Sequence, residues 1–103
     1  MQSRVEVARV GELKDGETKA VGVGERTVLL LGVGGGLYAV DDECTHRGCS
    51  LSEGYLEGEM LECDCHGSVF NVKTGEVQEG PAQRPVPVYR VQIEGDRVYI
   101  ASP

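Results

Sequence analysis

All four cysteines and both histidines of the chain fall in two short runs, "CTHRGCS" at residues 44–50 and "CDCHGS" at residues 63–68. Each run pairs a thiol with an imidazole, Cys44-x-His46 in the first and Cys63-x-x-His66 in the second, with 16 residues between the pairs. Two thiolates and two imidazoles suit a tetrahedral zinc ion, or one iron–sulfur cluster in which histidines replace two cysteines. Paired zinc ligands usually stand about two to four residues apart, and Cys-x-His is shorter than that. The runs also match in form, like two similar loops gripping one object from opposite sides, and that favours the cluster. Each run holds one cysteine more than a pair of ligands requires, Cys49 and Cys65.

The rest of the chain offers no second catalytic set: no spare histidine, no nucleophile elbow and no dinucleotide fingerprint. The glycine-rich "GVGGG" at 32–36 is followed by the strand-like Leu37-Tyr38-Ala39-Val40, so it reads as a hairpin turn and not a phosphate loop. Asp41-Asp42-Glu43 lacks the spacing of a calcium loop and reads as a solvated acidic rim.

The elements that must position these runs read as strands. No window sustains a helical apolar stripe, and 15 glycines and 4 prolines punctuate the chain. Strands are expected near 5–10, 18–23, 27–33, 37–40, 60–63, 69–71, 88–93 and 97–101. Turn chemistry bounds them at Asp15-Gly16, Gly34-Gly35-Gly36, Lys73-Thr74-Gly75 and Gly95-Asp96. In the late strand Tyr89, Val91 and Ile93 alternate with Arg90 and Gln92, which predicts one buried and one wet face. Several short strands at close spacing predict an all-β antiparallel sandwich or small barrel. Composition shifts in the middle of the chain. The expectation is a single domain over 1–103, with a base sheet from approximately 1–40 and 82–103 and an inserted cluster-binding subdomain at approximately 41–81.

With 103 residues the core is modest, and a metal centre or cross-link would add stability. Seventeen acids against ten bases give a net charge of −7, which disfavours nucleic acid and anionic membrane surfaces. The same charge suits a partner with a basic docking patch. The longest apolar run is too short to span a bilayer and the N-terminus lacks signal-peptide features, so a cytoplasmic protein, expected to be a monomer, is the default.

"CTHRGCSL" with "CDCHGSVF" resembles the two cluster-binding loops of Rieske-type [2Fe–2S] proteins. "LSEGYLEGEMLEC", "VFNVKTGEV" and "VYRVQIEGDRVYI" further resemble the ferredoxin components of bacterial aromatic-ring dioxygenases, covering roughly residues 36–101. The extra cysteines and the serine after His-Gly depart from those ferredoxins and resemble the Rieske subunits of respiratory complexes. The resemblance implies a Rieske-type β-sandwich or barrel carrying one [2Fe–2S] cluster. It implies that Cys44 and Cys63 bind the inner iron, that His46 and His66 bind the outer iron, and that Cys49 and Cys65 form an inter-loop disulfide. Gly48 and Gly67 would let backbone pass close to the sulfides, and Ser68 would donate a hydrogen bond to a cluster sulfur. Phe70 stands where high-potential members carry a tyrosine hydroxyl, and Pro81 lies in the segment that shields a third side of the cluster. The implied function is one-electron transfer from a flavin-reductase-like donor to an oxygenase-like acceptor. Two other readings are a structural zinc module and an electron-transfer subunit of a larger oxidoreductase. Rieske potentials run from roughly −150 to +300 mV. Ser68 and the disulfide push upward and Phe70 and the acidic surround push downward, so an intermediate value is expected.

Overall fold

The computed structural model describes residues 4–44, 49–65 and 67–101. Among these, the regular elements are eleven strands and one short 3₁₀ turn, Leu51–Glu53, so the fold is all-β. The strands are β1 (Arg4–Arg9), β2 (Thr18–Val23), β3 (Arg26–Val33), β4 (Gly36–Asp41), β5 (Tyr55–Glu57), β6 (Met60–Glu62), β7 (Val69–Asn71), β8 (Val77–Glu79), β9 (Val88–Tyr89), β10 (Val91–Glu94) and β11 (Arg97–Ala101). They form three antiparallel sheets in the orders β1-β11-β10, β2-β3-β4-β9 and β5-β6-β7-β8.

The β3 sequence "RTVLLLGV" explains how the layers stack. Its side chains alternate between two separate cores. Leu29, Leu31 and Val33 join one core with Cys44, Leu51, Leu61, Cys63, Phe70 and Val72. Val28 and Leu30 join another with Val7 and Ala8 of β1 and Val98 and Ile100 of β11. A strand covered on both faces has no wet side, and so reads as a continuous apolar run. The β2-β3-β4-β9 sheet is therefore the shared wall, with the β1-β11-β10 sheet packed on one face and the cysteine-bearing hairpins on the other.

The predicted strand at 88–93 is two strands. Its backbone breaks at Arg90, where the chain leaves β4, the partner of β9, and passes to β11, the partner of β10. Tyr89 and Val91 pack against the second core, but Ile93 is 55% exposed on the edge strand, so the predicted buried face stops short of it. Two strands lie outside the expected set, β5 and β8, each of three residues. The glycine run makes the predicted hairpin between β3 and β4, tied down by the Gly35 N–H donating to Asp15 Oδ1 at 2.8 Å.

Close backbone approaches fix the hairpins of the third sheet. A Cβ on Gly54 would overlap the carbonyl oxygen of Glu62, beside Cys63. Gly75 has φ +83 and lies against the Val86 carbonyl, so only glycine fits the turn that docks β7 and β8 onto the segment leading to β9.

Candidate metal centre

Antiparallel pairing holds the described ends of each cysteine run. In the first, Glu43 and Ser50 form an antiparallel bridge and the Cys44 N–H donates to the Cys49 carbonyl at 2.8 Å. The Leu51 N–H then donates to the Asp42 carbonyl at 2.6 Å, continuing the ladder below it. In the second, Glu62 pairs with Val69, and the Cys63 N–H donates to the Ser68 carbonyl at 2.7 Å. The Gly67 N–H returns to the Cys63 carbonyl at 3.0 Å, and Gly67 turns with φ 77. Cys44 and Cys63 thus stand at matching positions, one at the mouth of each hairpin. They are 2% and 1% exposed, inside the same apolar core as Phe70.

The two hairpins are cross-linked. Cys49 and Cys65 form a disulfide with S–S 2.03 Å and Cα–Cα 6.5 Å, the pairing implied by the resemblance. Closing a loop of sequence separation 16 contributes about 3 kcal/mol in the chain-entropy picture. The Cys63 sulfur lies with the two disulfide sulfurs in a group whose members are all within 4.8 Å of one another. His46, His66 and Gly48 lie outside the described residues.

Ser68 is fully buried, and its Oγ accepts the Ala82 N–H at 3.0 Å. An oxygen used as acceptor leaves the hydroxyl hydrogen to donate elsewhere. The same bond anchors the 80–82 segment against the second hairpin, with Ala82 buried and Pro81 exposed. This tether joins residues 14 apart and has no signature in the sequence. Phe70 is fully buried and carries no polar atom toward the cysteines. Outside the second hairpin, the Asp64 carboxylate accepts the hydroxyl of Tyr55, which pushes the Tyr55 pKa up.

The acidic run is not the solvated rim that spacing predicts. Asp41 and Asp42 are 6% and 7% exposed, and only Glu43 faces solvent. Asp42 Oδ1 accepts the Ser52 N–H at 2.7 Å and so braces the 3₁₀ turn after the first hairpin. Asp41 pairs with Arg26 at 3.1 Å on the wall of a cleft of about 520 Å³. Burial outweighs that pairing and holds the Asp41 carboxyl above its ordinary value of 3.8. A folded-state pKa above the unfolded one makes the protonated form the better fit. Its stabilising contribution is complete below the ordinary value and is lost as pH rises through the raised one. Asp41→Asn keeps the neutral shape, and the pair it gives up has a half-exposed Arg26 and is worth little. The variant should therefore melt higher than the parent at neutral pH. The gap should close on acidification below the ordinary value, as followed by thermal melts across pH; a gap that is constant with pH contradicts this.

Two buried thiols at the mouths of facing hairpins are a donor set for a thiophilic centre. Thiolates in an apolar core are costly unless a cation takes their charge, and a site closed by apolar side chains beside Ser68 suits a cluster with a sulfide face to solvate. The residues present therefore fit an iron–sulfur group.

Comparison with known proteins supports the same assignment. The chain is 39% identical over 90 residues to the ferredoxin component of biphenyl 2,3-dioxygenase from Rhodococcus jostii (strain RHA1), covering 87% of this chain and 84% of that protein. Among solved structures, the ferredoxin of carbazole 1,9a-dioxygenase from Nocardioides aromaticivorans IC177 superposes with a TM-score of 0.92 at 30% identity, covering 98% of this chain and 99% of that one. A chain of the complex of reduced oxygenase and oxidized ferredoxin in carbazole 1,9a-dioxygenase superposes with a TM-score of 0.89 at 37% identity, covering 94% and 100%. Residues 3–90 match the Rieske [2Fe-2S] domain. With the paired hairpins, the buried thiols and this match over most of its length, the chain belongs to the Rieske [2Fe–2S] domain family.

Proposed function

We propose that this protein is a one-electron carrier of the dioxygenase-ferredoxin kind, taking electrons from a flavin reductase and delivering them to an oxygenase. The observation that carries the reading is the pair of buried cysteines at the mouths of two disulfide-tied hairpins, in a chain of the Rieske family. In this reading Cys44 and Cys63 would hold the inner iron of one [2Fe–2S] cluster and His46 and His66 would hold the outer one. The cluster supplies reversible one-electron chemistry.

The chain's own residues set how well it serves that role. The disulfide and the Cys44 and Cys63 backbone bonds hold the two loops at a fixed separation, which keeps rearrangement on electron uptake small. Ser68, its oxygen engaged by Ala82, would donate its hydrogen to a cluster sulfur and so favour the more negative, reduced state. Gly67 would let backbone pass close to the group, buried Phe70 would keep water out, and Pro81 would shield one side of it. The excess of acids draws a partner with a basic patch into a small, salt-sensitive encounter. A cytoplasmic site of action goes with this reading and is open to cell fractionation.

The relatives are ferredoxin components, and one of the matched structures is a complex of a ferredoxin with its oxygenase. The test is anaerobic stopped-flow: the reduced protein is mixed with the oxygenase component of a carbazole or biphenyl dioxygenase, and reoxidation of the cluster is followed optically. Reoxidation that speeds as salt falls supports the reading; no transfer to any oxygenase or reductase component counts against it.

A further expected result concerns Ser68. If its hydrogen bond strengthens by ~1 kcal/mol in the reduced state, Ser68→Ala lowers the potential by about 40 mV with the cluster retained. Protein-film voltammetry reads this directly. An unchanged potential means that the hydroxyl does not reach the sulfur.

A further inference from the structure

The Cys63 thiol sits in the core beside the disulfide that ties the hairpins together. Its sulfur and those of Cys49 and Cys65 are mutually within 4.8 Å. Rotation about a single side-chain torsion carries a cysteine sulfur by up to about 3 Å, which covers most of the approach to bonding contact. The three differ in exposure: Cys63 is buried, Cys49 half-buried and Cys65 exposed. A thiol held this close to an intact disulfide has a reaction open to it that needs no reagent.

We propose that Cys63 is an internal nucleophile for the Cys49–Cys65 disulfide, held in check only while it is engaged as a cluster ligand. When the cluster is lost, the Cys63 sulfur, as thiolate, attacks the Cys49 sulfur. A Cys49–Cys63 bond forms, the Cys49–Cys65 bond breaks, and Cys65 leaves as thiolate and takes up the proton that Cys63 gave up. One disulfide and one thiol are present before and after, so no oxidant or reductant is consumed. Attack falls on Cys49 because the leaving sulfur is then the solvent-exposed Cys65, whose charge water can stabilise. The alternative product would close a tight ring between Cys63 and Cys65, two residues apart, and is disfavoured by strain.

The consequence is a latch. The exchanged chain keeps its two hairpins tied, but one inner-iron ligand is locked into the tie. It cannot rebuild its cluster from iron and sulfide until a dithiol resets the bond. Cys44, the other buried ligand of the proposed site, does not belong to this sulfur group and stays a thiol.

This inference rests on Cys63 being a ligand, and the experiment separates the two ideas. The holoprotein is stripped anaerobically with a chelator, alkylated with iodoacetamide at timed intervals, and digested without reduction by a protease cutting after Glu and Asp. Cuts after Glu43, Glu53, Glu62 and Asp64 put Cys63 and Cys65 on separate peptides, and put Cys44 and Cys49 together on a third, where tandem mass spectrometry assigns the cross-linked and the alkylated cysteine. The expected result is that the alkyl label appears on Cys44 and Cys65, a Cys49–Cys63 cross-link replaces Cys49–Cys65, and cluster reassembly is lost unless dithiothreitol is added first. Label on Cys63 with the original cross-link intact overturns the exchange while leaving the ligand role standing. Cross-links that include Cys44 overturn it also, because they show scrambling through an unfolded chain and not attack from a placed neighbour. A Cys63–Cys65 cross-link overturns the choice of Cys49 as target. Label on Cys63 before chelation overturns the ligand role itself, and this inference with it.

Discussion

Cys63→Ser should yield a colourless protein without iron or acid-labile sulfide, whereas Cys65→Ser should keep its cluster, with lower stability and a lower potential. The two cysteines are separated by one residue, and their surroundings divide their roles. Cys63 is 1% exposed in the apolar core with Cys44, its N–H fixed to the Ser68 carbonyl. Cys65 faces solvent and is spent in the bond to Cys49. A serine hydroxyl at 63 neither ionises at neutral pH nor binds iron as a thiolate does, so the loss of cluster should be complete. At 65 the same change removes a cross-link worth about 3 kcal/mol and leaves the proposed ligands in place. Iron and sulfide analysis with visible absorption checks both variants. A red-brown Cys63→Ser protein, or a Cys65→Ser protein that folds but holds no iron, contradicts this division of roles.

Phe70→Ala should cost about 3–5 kcal/mol. Phe70 is the largest of the fully buried side chains, on β7 between the two cysteine hairpins, in the core shared by Leu61, Cys44 and Cys63. Removing the ring leaves a cavity that β6 and β7 cannot close, because their backbones are pinned to each other by the ladder and to the neighbouring turn through Val72 N–H donating to the Glu59 carbonyl at 2.9 Å. Domains of this size hold about 5–15 kcal/mol in all, and each lost kcal/mol lowers Tm by about 4–8 °C. A fall in Tm of well over about 10 °C is therefore expected, with earlier loss of cluster absorption than of strand signal on heating. A shift of only about 2 °C would show that the core closes around the gap.

Much of this arrangement was legible in the residues, for reasons that also explain what was not. β2, β7 and β11 fall at the residues expected because strand-forming side chains there stand near glycines free to take the positive φ that the adjoining turns need. β5 and β8 escaped because "YLE" and "VQE" each carry a single apolar residue toward the core, Leu56 and Val77, too few to show a period. The break at Arg90 was hidden for the opposite reason: Tyr89 and Val91 keep the alternation of one strand while pairing in different sheets. At the site, the grouping of Cys44, Cys49, Cys63 and Cys65 was visible because the chain has no other cysteines. The burial of Asp41 and Asp42 was not, since it depends on Arg26 and Ser52 being brought alongside from other elements. The Ser68–Ala82 tether and the approach of the Cys63 sulfur to the disulfide are likewise products of the fold.

In the proposed reading two thiols and two imidazoles of this chain hold one [2Fe–2S] cluster. Its most direct test is EPR of the dithionite-reduced protein alongside metal and sulfide analysis. Iron and acid-labile sulfide are expected in equal amounts, with a rhombic signal whose average g lies below that of an all-cysteine [2Fe–2S] centre, as nitrogen ligation of the reduced iron requires. A colourless, EPR-silent protein carrying zinc, or a signal with the average g of all-cysteine ligation, would contradict it.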